Sequence, residues 1–377
     1  MKNLWSRQLQ VTSFLAAGGL VLSVLGSSAA IAGDDSAPQG RSIAYAFTTI
    51  YWSLYESPDG KDECPKGINA MGPREQFKAL FPDDGTKRTF AETQMKREAE
   101  IWWPDTSPDP FPVPEAVGKI VPGLNLDGKV KATDFTAPDG TTGVDNQIFR
   151  ALGCIKNYRT GGPLYNYETN YFKMFLSSRV LIELTDVDSL VNDDDVTLTT
   201  YRGLDPLVTD ATGANFQPGG TERLDLRFSK AFIHKTKGKI VNGVLTTEPM
   251  DWTWPTEIGT QDLIRAARFQ VRLTPERAEG LIGGYADIES IYNSRNRKYG
   301  THFQAYGQQA QASTYKSLRK FADGYPDPKT GEFTAISGAY AVKMVQVHVL
   351  RPEKQISGRQ TAPKYMADNS SIPSAVK

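Results

Sequence analysis

Along residues 42–52 the side chains alternate in two-residue steps. Ile43, Tyr45, Phe47 and Tyr51 fall on one face, and Ala44, Ala46, Ile50 and Trp52 on the other, which predicts a β-strand. The same texture dominates from residue 178 onward. Segments 180–184, 196–201, 223–228, 239–246 and 268–273 read as strands bounded by Gly, Pro or Asn, and 339–350 reads as the longest of them. Helical spacing appears in isolated places. Pro73 opens a helix over 72–81 that Pro82 ends. Thr89-Phe90-Ala91-Glu92 is a capping box for a second helix running to Trp103, with Ala91, Met95, Ala99 and Trp102 on one stripe. Asp145 is placed to cap a short helix through Ile148, Phe149 and Leu152, with Gly153 as its stop. Thr274-Pro275-Glu276 begins a helical stretch to Ser294, weakened by Gly280, Gly283 and Gly284. Another covers 312–322, with Tyr315 and Leu318 inward.

Strands about every ten to twenty residues, with helices set apart and no internal repeat, point to a mainly β fold. The expected architecture is an antiparallel β-sandwich or jelly-roll-like fold with peripheral helices, and α+β is the fallback. A parallel α/β fold requires a strand–helix rhythm that the chain lacks. The regions expected are a mixed part at 42–175 and a β-rich part at 176–350 packed with it, the two together forming one domain or two. The polar stretch 351–377 reads as a disordered tail.

The N-terminus changes the compartment. Lys2 and Arg7 precede an apolar run from Val11 to about Leu25, and Ala30-Ile31-Ala32 fits the small-x-small rule. A signal peptide over 1–32 cut before Gly33 is expected, followed by a flexible leader at 33–41. Its apolar run is short and rich in Gly and Ser for a membrane span, and no later segment reaches spanning length. The expected location is therefore periplasmic or secreted, and not integral to a membrane. A formal net charge of +0 gives no overall field to hold nucleic acid or anionic lipid. The two cysteines, Cys64 and Cys154, are expected to pair in an oxidising compartment.

Chemistry is thinly marked. Ser313-Thr314-Tyr315-Lys316 and Lys329-Thr330-Gly331 match two serine-enzyme triplets, but too close together and without a third element, so a helix followed by a surface turn is the better reading. Three histidines, His234, His302 and His348, are few for triad or metal chemistry. The loop-like, Pro-rich segment 104–143 runs into oxygen donors among glycines. Asp127, Asp134, Asp139 and Asp145 are the expected ligands if calcium holds it together. Trp252 and Trp254, alternating between Pro249 and Pro255, are the candidate ligand-binding aromatics. The expected function is an exported, soluble binding or accessory protein with a disulfide and a calcium site. Its partner would be a small molecule, a glycan or an envelope protein. A carboxylate-using carbohydrate hydrolase and an envelope structural protein docking onto a larger assembly are the alternatives, so enzymatic activity is left undecided.

Overall fold

The computed structural model describes residues 36–68, 112–162, 165–166, 179–226, 230–256, 261–299 and 311–351. The signal peptide and its cut, the helices expected at 72–81 and 89–103, Trp102, Trp103, His302 and the tail beyond 351 lie outside the described residues. The strands in chain order are β1 (Ser36–Trp52), β2 (Phe135–Thr136), β3 (Thr142–Val144), β4 (Val180–Ser189), β5 (Asp193–Arg202), β6 (Gly220–Arg223) and β7 (Lys235–Val241). Then come β8 (Val244–Thr247), β9 (Met250–Pro255), β10 (Gln261–Leu273), β11 (Arg277–Asp287), β12 (Gly324–Pro326) and β13 (Phe333–Leu350). Among the described residues three α-helices accompany them: α1 (Ile148–Leu152), α2 (Ile288–Tyr299) and α3 (Gln311–Lys320).

Pairing runs β1–β4–β5–β7–β8–β10–β11–β13 and returns from β13 to β1, antiparallel at every joint. The protein is mainly β and antiparallel, as expected. It is not a sandwich or jelly roll, because one sheet closes into an eight-stranded meander barrel. Closure depends on β13 pairing with β11 on one side and β1 on the other, and β6, β9 and β12 branch from the ring so formed. Short antiparallel strands separated by turns look the same in sequence whether they close or stack. An eight-stranded barrel is just wide enough for side chains to fill. Here Phe47, Trp252, Trp254 and Phe269 are packed against one another in the core.

A bulge re-aims β1. Its register with β13 shifts between Phe47 and Thr49, so one extra residue enters and the alternation flips. Tyr45 and Phe47, then Ile50 and Trp52, share the inner face. Ala44 and Ala46 pack outside, and the Tyr51 ring meets Tyr165. Sequence alternation alone puts Tyr51 with Tyr45 and Phe47. The bulge is why it faces the other way. Pairing also starts earlier than expected, with Ser36 opposite Ser189 inside the stretch read as a loose leader.

Two other elements differ. The stretch read as a helix from Thr274 is mostly strand β11, and α2 begins only at Ile288. A Cβ on Gly280 would collide with the Gln270 carbonyl oxygen, so this glycine permits close strand approach and does not mark a weak helix. The single strand expected at 239–246 is a hairpin, β7–β8, turning at Asn242 (φ 50°) and Gly243 (φ 76°). Both central residues at positive φ make the type I′ turn that suits twisted strands. The acidic tract at 186–195 forms the β4–β5 hairpin turn, where Asp193 accepts the Asp188 and Asp195 amides.

The outside of the barrel is covered in two places. Residues 204–226 lie over Ala44, Ala46, Leu181 and Val347 through Phe216 and Leu224, with β6 parallel to the end of β13. Residues 53–68 and 112–162 form a strap: Leu124 packs on the outer face at Gly283, whereas Ile148, Ala151, Leu152, Ile155 and Tyr158 join the main core. The halves of the strap are joined by the Cys64–Cys154 disulfide, which spans 90 residues with a Cα–Cα distance of 5.6 Å. The pairing expected from sequence is therefore present. Closing so long a loop contributes on the order of 4 kcal/mol through the unfolded chain. Beside it Arg159 pairs with the buried Glu63 at 2.6 Å. Burial alone would raise the Glu63 pKa, but the Ser57 hydroxyl and Arg159 outweigh it and hold the carboxyl below its ordinary value.

Candidate functional site

The strap does not lie flat on the barrel. Between them runs a groove of about 640 Å³, adjoined by a second hollow of about 460 Å³ that shares Asp139, Gln270 and Leu281 with it. Such a volume is in the range of ordinary ligand sites, roughly 300–1,000 Å³.

Sheet register builds the floor. Outward-facing residues of adjacent strands line up in rows across the barrel wall. One row reads Val244, Arg272, Glu279, Lys343, Thr49 over β8, β10, β11, β13 and β1. The next reads Thr246, Gln270, Leu281, Ala341, Tyr51. The β1 bulge is what brings Thr49 and Tyr51 onto this face. The strap supplies the opposite wall with Leu54, Glu56, Asp139 and Thr160, and Tyr165 adds its ring. Several contacts hold that wall, the Ser53 amide donating to the Ala339 carbonyl at 2.8 Å among them. Arg268 donates to the Asn125 carbonyl at 3.3 Å, the Gln147 amide donates to Ser337 Oγ at 3.1 Å, and Leu124 covers Gly283.

The polar groups of the groove differ in how committed they are. Glu56 accepts the Thr160 amide at 2.8 Å and its hydroxyl at 3.1 Å. Asp139 accepts the Thr141 amide at 2.9 Å, which holds its pKa below the usual carboxylate value. Arg272 donates to the Asn242 carbonyl at 3.2 Å. Gln270, Glu279 and Lys343 stand exposed on the floor, and the Tyr51 and Tyr165 rings meet edge-to-face at 4.8 Å.

A second polar centre lies within the strap. Lys131 pairs with Asp127, while the Lys131 amide donates to Asp134 at 2.6 Å. Asp145 is buried and accepts the Leu126 amide at 2.8 Å, instead of capping α1. Burial raises its pKa above the usual value, and Asp127 and Asp134 add to the effect. Asp323, across the interface, is pushed up to about 6 by burial and by Asp145, despite hydrogen bonds from the Ser337 amide and hydroxyl. Three of the four expected calcium ligands thus lie close enough to influence one another around Lys131, while Asp139 belongs to the groove. Among the described residues no group of three acidic, His or Cys side chains is arranged to hold a metal. Calcium at these positions remains an expectation drawn from the sequence.

Trp252 and Trp254 are both buried, stacked on each other at 5.9 Å inside the core. His234 is half-buried and its Nε2 accepts the Thr253 amide, while His348 is exposed on β13. Ser313 to Lys316 lies on α3 and Lys329 to Gly331 in a turn capped by Asp327, matching the helix-and-turn reading. Sequence reading missed Gln270, Arg272, Glu279 and Lys343. No local motif joins them, and only the strand register does. No family model matches this chain, no curated protein matches it, and no solved structure matches it.

Proposed function

We propose that this is an exported binding protein that takes a small polar ligand in the groove between the barrel wall and the disulfide-joined strap. The groove itself carries the reading: a hollow of about 640 Å³ with exposed hydrogen-bonding side chains on a rigid sheet floor. A site on a closed sheet is already organised before the ligand arrives, which limits the ordering cost of binding.

Binding is favoured over hydrolysis by where the unusual carboxyls are. A hydrolase of the two-carboxylate kind needs an acid with a raised pKa facing its substrate. Among the described residues the two carboxyls pushed well up, Glu222 to about 7 and Asp323 to about 6, do not line the groove, and Asp139, which does, is held low. Export is supported by the sequence pattern at residues 1–32, by the pairing of Cys64 with Cys154, and by the start of β1 at Ser36, which a cut before Gly33 leaves whole.

The test uses Ala341, exposed at the centre of the floor. Ala341→Trp fills the groove without entering the barrel core. A panel of polar metabolites and sugars is screened for thermal stabilisation of the mature protein. A ligand at a hundred times its Kd stabilises the native state by about 2.7 kcal/mol, a rise of several degrees in Tm. Wild type is expected to respond and Ala341→Trp is not, although its own melting stays cooperative. A compound that stabilises both proteins equally would place binding elsewhere.

A further inference from the structure

We infer that the ligand of this groove is a neutral oligosaccharide, an inference that rests on the groove being the binding site. Charge points to a neutral ligand. Three cationic side chains line the two joined hollows, Arg268, Arg272 and Lys343, and three anionic ones, Glu56, Asp139 and Glu279. They are interleaved, with Glu279 directly opposite Arg272 on β10 and Lys343 on β13. An anionic ligand running through would meet three carboxylates, and a cationic ligand three cations. An apolar ligand would strip water from all six charges, at a cost that its own contacts do not repay. A ligand whose every polar group both donates and accepts meets a partner at each of these positions. Hydroxyls have that property.

Shape points to a chain of rings. The floor rows cross five neighbouring strands, four spacings of about 4.8 Å, so the groove extends about 19 Å across the wall. That suits a chain of linked rings better than one ring. Surfaces also alternate along the groove. Gln270, Arg272 and Glu279 present planar groups able to bridge adjacent hydroxyls, while Leu281, Ala341 and the Tyr165 ring offer apolar contact for the carbon faces of a sugar.

Isothermal titration of the mature protein with neutral trisaccharides (maltotriose, cellotriose and the N-acetylglucosamine trimer) tests this, with trigalacturonate, the glucosamine trimer and palmitate as anionic, cationic and apolar counterparts. At least one neutral trisaccharide is expected to bind saturably, and the three counterparts at least tenfold more weakly. Gln270→Ala and Glu279→Gln, both at exposed positions, are each expected to weaken binding about tenfold with an unchanged Tm. Preference for a charged or apolar probe, lost in Ala341→Trp, would overturn the ligand class and leave the groove as the site. Equal binding of a neutral trisaccharide by wild type and Ala341→Trp would overturn the site. No binding by any neutral trisaccharide up to millimolar concentration would overturn the inference.

Discussion

Glu222 shows how far a single carboxyl can be moved by its surroundings. It lies fully buried on β6, above Gly203 and beside Arg179, and its Oε1 accepts the Asp205 amide at 2.7 Å. Burial pushes it up to about 7; the Asp205 amide and the charge of Arg179 pull it down without compensating. Because the folded value is the higher one, its contribution to stability is fully present below about 4.5 and is lost as pH rises toward 7. Glu222→Gln is therefore expected to leave stability near pH 4 little changed. At pH 8 it should raise stability by about 1–3 kcal/mol, since moving a pKa by one corresponds to about 1.4 kcal/mol. Urea unfolding at the two pH values checks this, and an equal change at both would contradict it. At this scale the sequence is a poor guide. Nothing around Glu222 distinguishes it from Glu276 or Glu279, and only the fold buries one and exposes the others. The cysteines are the opposite case, since a chain with only two offers one intramolecular pairing. Trp252 and Trp254 stand between. Their alternation marks a strand correctly, but alternation does not say which face is covered.

At the scale of elements, what could be read was periodicity, and what could not was interruption. The β1 alternation was plain, yet the extra residue between Phe47 and Thr49 reverses its faces beyond that point and so brings Tyr51 to the groove. In β11, three glycines imitate a weak helix because close strand approach and poor helix propensity call for the same residue. Asn242-Gly243 carried a hairpin signal inside a stretch taken as one continuous strand. Its geometry gives a direct prediction. Gly243 at φ 76° sits where an L-residue is strained, while its amide donates to Val191 and its carbonyl accepts from Leu273. Gly243→Ala should cost about 1–2 kcal/mol, the penalty of the left-handed region for a residue with a Cβ. Replacing Val241, exposed one position before the turn, by Ala should cost well under about 1 kcal/mol. Denaturant midpoints of the two variants compare them, and similar losses would mean that the turn does not set the register of β7 and β8.

At the scale of the whole molecule, the mainly β class and the disulfide were legible, whereas barrel closure and the groove were not. Closure depends on β13 meeting β1 across almost three hundred residues, and no local pattern records so distant a pairing. The groove depends on it in turn, since Thr49 and Tyr51 join Lys343 and Ala341 only through that joint. The strap, joined within itself by Cys64–Cys154, is held to the barrel by the Arg268, Gln147 and Leu124 contacts and makes an ordinary outer wall one side of an open groove. Binding on the outer wall, not inside the barrel, is thus the claim on which the functional account stands. Amide chemical-shift mapping of the mature protein, titrated with the neutral trisaccharide that binds most tightly, tests it most directly. The account predicts saturable shifts at Thr49, Gln270, Glu279, Leu281, Ala341 and Tyr165. Shifts concentrated instead at Tyr45, Trp252 and Ile336, in the barrel interior, would contradict it.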